Sequence, residues 1–211
     1  MTQSDRLAAE ILDKALELAA HTSWEKLCLH DIAADLGISL DDIRLHFPQK
    51  DDLVEAWFDR ADSAMLQFAH SEDMTSLSVR ARLTAIIMSW LDALAVHRSI
   101  SGDMLLYKLE PGHVHLQVLG VLRISRTVQW FREASRLDTT QLFRIAEEIG
   151  LTSIFLATFS YWLLDTSANS KNTRHFLDTR LKHAEYIVHN LLWFLPGASS
   201  NSDKTVNNPE A

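Results

Sequence analysis

The sequence predicts an all-α protein of about nine helices, with a small N-terminal helix-turn-helix domain ahead of a larger helical bundle. Three observations carry this expectation. Only six Gly and four Pro occur in 211 residues, which favours long helices over a turn-rich β protein. Apolar residues recur at helical spacing along most of the chain, and no stretch of useful length shows the period of two of a strand. Residues 29–47, LHDIAADLGISLDDIRLHF, read as two short helices joined by a tight turn. With 47% hydrophobic residues the chain can bury a proper core, in one large domain or two small ones.

The first helix is expected over residues 4–21, capped by Ser4, with Leu7, Ile11, Leu12, Ala15, Leu18 and Ala19 as its apolar stripe. Trp24, in the loop that follows, reads as a hydrophobic plug. In the motif, Leu29, Ile32, Ala33 and Leu36 share one helix face, and Gly37 ends that helix where a positive φ is needed. Ser39 is the expected N-cap of the second motif helix. Asp41 and Asp42 follow in its first turn, where carboxylates suit the helix dipole, and Ile43 and Phe47 form its buried side. A connecting helix is expected over 50–68, with Leu53, Val54, Trp57, Phe58, Ala61, Ala64, Met65 and Phe68 facing inward. Polar residues 70–78 end it. Further helices are expected over 79–97, 101–108, 113–136, 140–165 and 173–194. The fourth of these is apolar nearly all round between residues 149 and 164, the pattern of a helix buried on several sides. Pro196 stops the last helix, and the polar stretch 196–211 is expected to be disordered.

Charge is distributed unevenly. Residues 1–70 hold six Lys and Arg against fourteen Asp and Glu, whereas residues 71–211 hold fourteen of each. The whole formal charge of −8 therefore falls in the first third. Duplex affinity rests on neutralising phosphates, so this counts against tight DNA binding unless Arg6, Lys26, Arg44 and Lys50 share one side. The single cysteine, Cys28, excludes an intramolecular disulfide and a Cys-built metal site, and reads as a small half-buried residue. His113 and His115 are two apart and point to different helix faces, so even with His97 they make a poor metal site. There is no nucleophile elbow, no Gly-rich phosphate loop and no zinc-protease motif, so neither enzymatic activity nor a cofactor is expected. No secretory signal is evident, and residues 149–164 are too short and interrupted to span a bilayer, so a cytoplasmic protein is expected.

The segments ILDKALELA, DIAADLGIS and HFPQKDDL, within residues 7–68, resemble the tetracycline-repressor (TetR) family of bacterial transcriptional regulators. The resemblance implies a helix-turn-helix domain over 1–48, a ligand-binding and dimerisation domain over 49–195 with 50–70 as its connecting helix, and a tail over 196–211. It implies duplex DNA as a partner, contacted by Cys28, Ser39, Leu40, Asp41, Arg44, His46 and Lys50. The family's SKGTLYxHF pattern is only partly kept: Leu40 replaces Lys, Asp41 Gly, Asp42 Thr and Arg44 Tyr. Arg44 suits guanine or phosphate, and an aspartate accepts from a cytosine amino group. The family also binds small hydrophobic ligands in the bundle, which here implies a pocket of Trp90, Met104, Tyr107, Trp130, Phe131, Phe155 and Phe159. It dimerises through its last two long helices, which implies an interface including Trp162, Phe176, Tyr186 and Leu191.

A second resemblance is carried by residues 161–187, YWLLDTSANSKNTRHFLDTRLKHAEYI, which are similar to the ubiquinone-biosynthesis accessory family. Those proteins share the TetR fold, bind lipid or isoprenoid, and have lost DNA binding. Here the residues after Pro196 lack the basic amphipathic helix with which that family reaches membranes. The helix-turn-helix is the more specific pattern, so a ligand-responsive, DNA-binding homodimer is the preferred expectation. The lipid-binding protein is the alternative.

Overall fold

A computed structural model describes residues 2–72, 74–108, 114–137 and 141–194, with side chains described except at 108, 114–119, 141–143, 189 and 191–194. The expected disordered tail, His113 and the side chains of His115 and Leu191 lie outside the described residues. Among those residues every regular element is helical. The α-helices are α1 (Gln3–His21), α2 (Leu29–Leu36), α3 (Leu40–His46), α4 (Lys50–Ser71), α5 (Val79–Leu94), α6 (Arg98–Lys108), α7 (Val114–Ala134), α8 (Gln141–Leu164) and α9 (Lys171–Phe194).

Local chemistry explains most of the boundaries. Thr2, not Ser4, caps α1: its hydroxyl accepts from Asp5 N while the Asp5 carboxylate accepts from Thr2 N at 2.8 Å. The acid three residues on satisfies a second amide, which Ser4 has no partner to do. Gly37 closes α2 at φ 65°, in the left-handed region that a side chain resists. Ser39 and Asp42 then form a reciprocal cap at the start of α3. The helix expected over 79–97 tightens into a 3₁₀ turn at Ala95–His97, and α6 begins at once at Arg98, three residues earlier than expected.

The first three helices pack on one another around Trp24, Ile32 and Ile43, all essentially inaccessible. Trp24 is the expected plug. From there α1 also packs on α4 and α6, and α4 runs along α5 and α7. The pairs α5–α9, α7–α8 and α8–α9 complete the bundle. Where α6 meets α8, a Cβ on Gly102 would lie 3.1 Å from the Leu163 side chain, so a small residue permits that approach. The buried apolar residues, Met74 apart, form one continuous cluster from Ile11 to Leu181. At about 25 cal/mol per Å² of buried apolar area, such a shared core strongly favours the two halves folding together.

Candidate functional site

Helix α3 is seven residues long and offers a clear inside and outside. Ile43 is buried against α1 and α2, while Leu40, Asp41, Arg44 and Leu45 are exposed. Ser39 and Cys28, the N-caps of α3 and α2, are exposed on the same motif, and His46 is half-buried. The expected reading residues are thus mostly at the surface. Arg44 is not free, however: its Nε and Nη2 donate to one oxygen of Asp41 at 2.9 and 2.7 Å. Asp42 turns inward to the cap, where the Ser39 hydroxyl and backbone N–H hold its carboxyl below the usual aspartate range.

Lys50 departs from its expected role at a phosphate. Its Nζ donates to the carbonyls of Trp24, Glu25 and Leu27 at 2.6, 3.1 and 2.8 Å. It also lies over the rings of Trp24 and Tyr107, 5.3 and 6.0 Å from their centroids. Burial pushes its ammonium below the usual lysine range, against the pull of Cys28 and Glu25. An ammonium with three donors and three carbonyl acceptors has no donor left for DNA.

The charge imbalance also looks different in three dimensions. Glu55, Asp59 and Asp62 fall one turn apart on α4 and are met by arginines of α7. Arg126 pairs with Glu55, and Arg123 with Asp59 and, at 2.6 Å, Asp62. Asp13 pairs with Arg60 at 2.6 Å, and Asp5 and Asp42 are committed to caps. Residues 1–48 alone hold four Lys and Arg against nine Asp and Glu, so five of the eight excess negative charges stay in the N-terminal domain and three lie in residues 49–70.

In the bundle, four aromatic side chains surround Trp90. Trp90 meets Phe131, Phe155 and Phe159 edge-on at 6.1, 5.3 and 6.1 Å, and stacks on Phe58 at 5.8 Å. Beside them is a cavity of about 20 Å³ lined by Phe58, Trp90, Leu105, Arg123, Ile124, Thr127, Phe155 and Phe159. Of the expected pocket residues, Trp90, Phe155 and Phe159 line it, and Phe131 packs behind Phe155 at 5.1 Å. Met104 is buried but does not line it. Tyr107 belongs with Lys50, and Trp130 is 43% exposed on the far side of α7.

The polar cluster beside this cavity was missed from the sequence: Arg123 and Thr127 line the cavity, and Asp62, which does not, accepts from both. Asp62 is buried; its Oδ1 accepts from Trp90 Nε1 and Thr127 Oγ1 at 2.7 and 3.2 Å, and its Oδ2 from Arg123. Burial raises its carboxyl above the usual range, although Arg123 pulls the other way. One signal was available: Asp62 sits four residues after Phe58 and three before Met65, inside the apolar stripe of α4.

Helices α8 and α9 present apolar surface. Ile145, Ile149, Tyr161 and Leu164 are exposed on α8, and Tyr186, Ile187 and Val188 on α9. The last three are consecutive, so α9 at residues 186–188 stands clear of the other described residues on several sides. Phe176 stacks on Tyr161 at 4.7 Å, beside an open groove of about 380 Å³ shared with His175, Arg180 and His183. Trp162, expected at this surface, is instead fully buried, with the Arg98 guanidinium 4.6 Å above its ring. No metal-binding cluster and no helix able to cross a membrane occurs among the described residues.

Comparison with known proteins completes the picture. The chain is similar to the crystal structure of a TetR transcriptional regulator from Nitrosomonas europaea ATCC 19718, at 49% identity and a TM-score of 0.76, over 86% of this chain and 99% of that one. A TetR transcriptional regulator from Rhodococcus sp. RHA1 matches at 16% identity and a TM-score of 0.60, over 84% and 97%, a likeness of fold. A family model described as COQ9 matches residues 148–187, which lie in α8, α9 and the turn between them. No curated protein matches significantly.

Proposed function

The chain belongs to the TetR family of transcriptional regulators, and from that premise we propose that it is a homodimeric, DNA-binding regulator that responds to a small apolar ligand in its bundle. The observation that carries this reading is the geometry of the motif: α3 buries Ile43 and leaves a whole face uncovered beyond a tight, glycine-closed turn. That face takes the major groove, with Cys28, Ser39, Leu40, Asp41, Arg44 and His46 at or near the contact. Arg44 must leave Asp41 to reach phosphate or guanine, an exchange that an exposed pair makes at little cost. The uncovered apolar residues of α8 and α9 pair with a twin about a two-fold axis, with Phe176, Tyr186 and Leu191 in the interface. A ligand in the bundle favours a dimer whose two α3 helices are wrongly spaced for the operator.

Titration of the purified chain into the fragment upstream of its own gene, and into a scrambled duplex, tests this. Preferential, salt-sensitive binding to the upstream fragment is expected. Sedimentation of the Ile187→Glu variant tests the dimer: the unsubstituted chain should sediment as a dimer and the variant as a monomer.

A second reading, a lipid- or isoprenoid-binding protein of the same fold without DNA binding, is favoured by the COQ9 match and by the exposed negative charge of Asp41 on the face that would meet DNA. It predicts no duplex binding even at low salt, and an apolar molecule recovered by solvent extraction of the purified chain.

A further inference from the structure

The first third of the chain keeps its large apolar side chains inside, with two exceptions. Among the described residues of 2–76 only Leu40 and Leu45 are left exposed, at 53% and 68%, and both lie on α3. A single exposed leucine is ordinary. Here two share one seven-residue helix, on the face that the motif leaves uncovered. Leu45 comes two residues after the buried Ile43, almost diametrically across the helix axis. It therefore stands at the crown of that face, one turn beyond Asp41, while Leu40 stands one turn before Arg44.

We propose that Leu45 and Leu40 read thymine, their side chains meeting thymine C5-methyl groups in the major groove, which makes Leu45 a specificity-determining residue outside the expected contact set. This rests on the reading of the chain as a DNA-binding regulator, and adds the base that α3 selects. A leucine can neither donate to a base edge nor accept from one. Against a phosphate it would strip hydration from the charge and return no hydrogen bond. The apolar group on the base edges of an unmodified major groove is the thymine methyl, and contact with leucine takes apolar surface of both out of water. The charge balance gives such contacts weight. Residues 1–48 hold four Lys and Arg against nine Asp and Glu, and Lys50 is held by three carbonyls, so few cations are left for phosphates. Contacts at the base edges then decide between one duplex and another.

The test uses the full chain, first to enrich a duplex from a random-sequence library at low salt. That duplex is then synthesised with thymine and with uracil, which lacks only the C5-methyl. The unsubstituted chain should bind the uracil duplex about fourfold more weakly for each contacted methyl, and so at least about tenfold more weakly over a two-fold-symmetric site. The uracil penalty should shrink in Leu45→Ser and all but vanish in Leu40→Ser combined with Leu45→Ser. The salt slope should stay the same in both variants, because a methyl contact releases no counterion. Thermal unfolding should also be unaltered, since both side chains are exposed. If the double variant keeps the full uracil penalty, the proposal fails alone, and any affinity it has lost belongs to contacts with sugars. A changed salt slope likewise overturns it, because the substitutions have then moved phosphate contacts. If no duplex is enriched, the regulator reading fails and takes the proposal with it. Flotation of the chain with phosphatidylcholine vesicles, lost in the double variant, would in that case assign the two leucines to a lipid surface.

Discussion

Arg44 and Arg123 each donate to an aspartate at nearly the same distance, 2.7 and 2.6 Å, but in opposite surroundings. The side chains of Arg44 and Asp41 are 66% and 68% exposed, and those of Arg123 and Asp62 3% and 7%. In water the exposed pair is screened and adds roughly 0–1 kcal/mol, so it opens readily when a phosphate competes. In the bundle neither partner can be solvated alone, so the pair is locked although its net contribution to stability is small. The same two residue types thus supply an adjustable surface at α3 and a fixed joint between α4 and α7.

The comparison can be broken most decisively at the joint. Arg123→Met should lower the unfolding free energy by about 3–5 kcal/mol in urea titrations, because it strands a buried carboxylate. Combining it with Asp62→Leu should restore most of that loss, and a small effect of the single variant would dissolve the contrast. At the motif, Gly37→Ala should cost about 1–2 kcal/mol, from its φ alone, since nothing lies within 4 Å of the added Cβ. Ser39→Ala should cost about 1 kcal/mol through the lost cap. Arg44→Ala should change stability by less than about 0.5 kcal/mol yet weaken operator binding and reduce its salt slope by about one. Asp41→Ala should strengthen binding by freeing Arg44, as read in the same titration.

The pH dependence sharpens the contrast and is the smallest effect. Asp42 has a folded pKa below its unfolded value, so its cap is fully present above the unfolded pKa and is lost as pH falls through the lower, folded one. Asp62 is shifted upward, so the native chain holds that proton more tightly. Its contribution is most favourable below the unfolded pKa and declines as pH rises through the folded one. Stability profiles of Asp42→Asn and Asp62→Asn against the unsubstituted chain should differ from it with opposite slopes.

Local signals were legible in the sequence, and pairings were not. Gly37 and Ser39 each act within a few residues of their own position, and Ile43 is marked by its i, i+4 spacing to Phe47, so the motif could be read directly. The partner of Asp62 lies 61 residues away, and only the packing of α4 on α7 brings it there. Lys50 looked like a free cation beside the motif, because its three carbonyl partners are 23 to 26 residues upstream. Trp130 and Trp162 both lie on helices rich in apolar residues on several sides. Periodicity cannot choose the inward face of such a helix, and the structure exposes the first and buries the second.

The grip on Lys50 has a mechanical consequence. A lever transmits rotation only if its fulcrum does not slip, and the first turn of α4 is pinned to the strap of chain ahead of α2 by one ammonium across three carbonyls. Bending at residues 47–50 would have to tear that pin loose. A tilt imposed on α4 at its Asp62 end is therefore delivered to α2 and α3 as a swing of the whole head. In a symmetric pair, two such swings change the distance between the heads while leaving each head's own shape untouched.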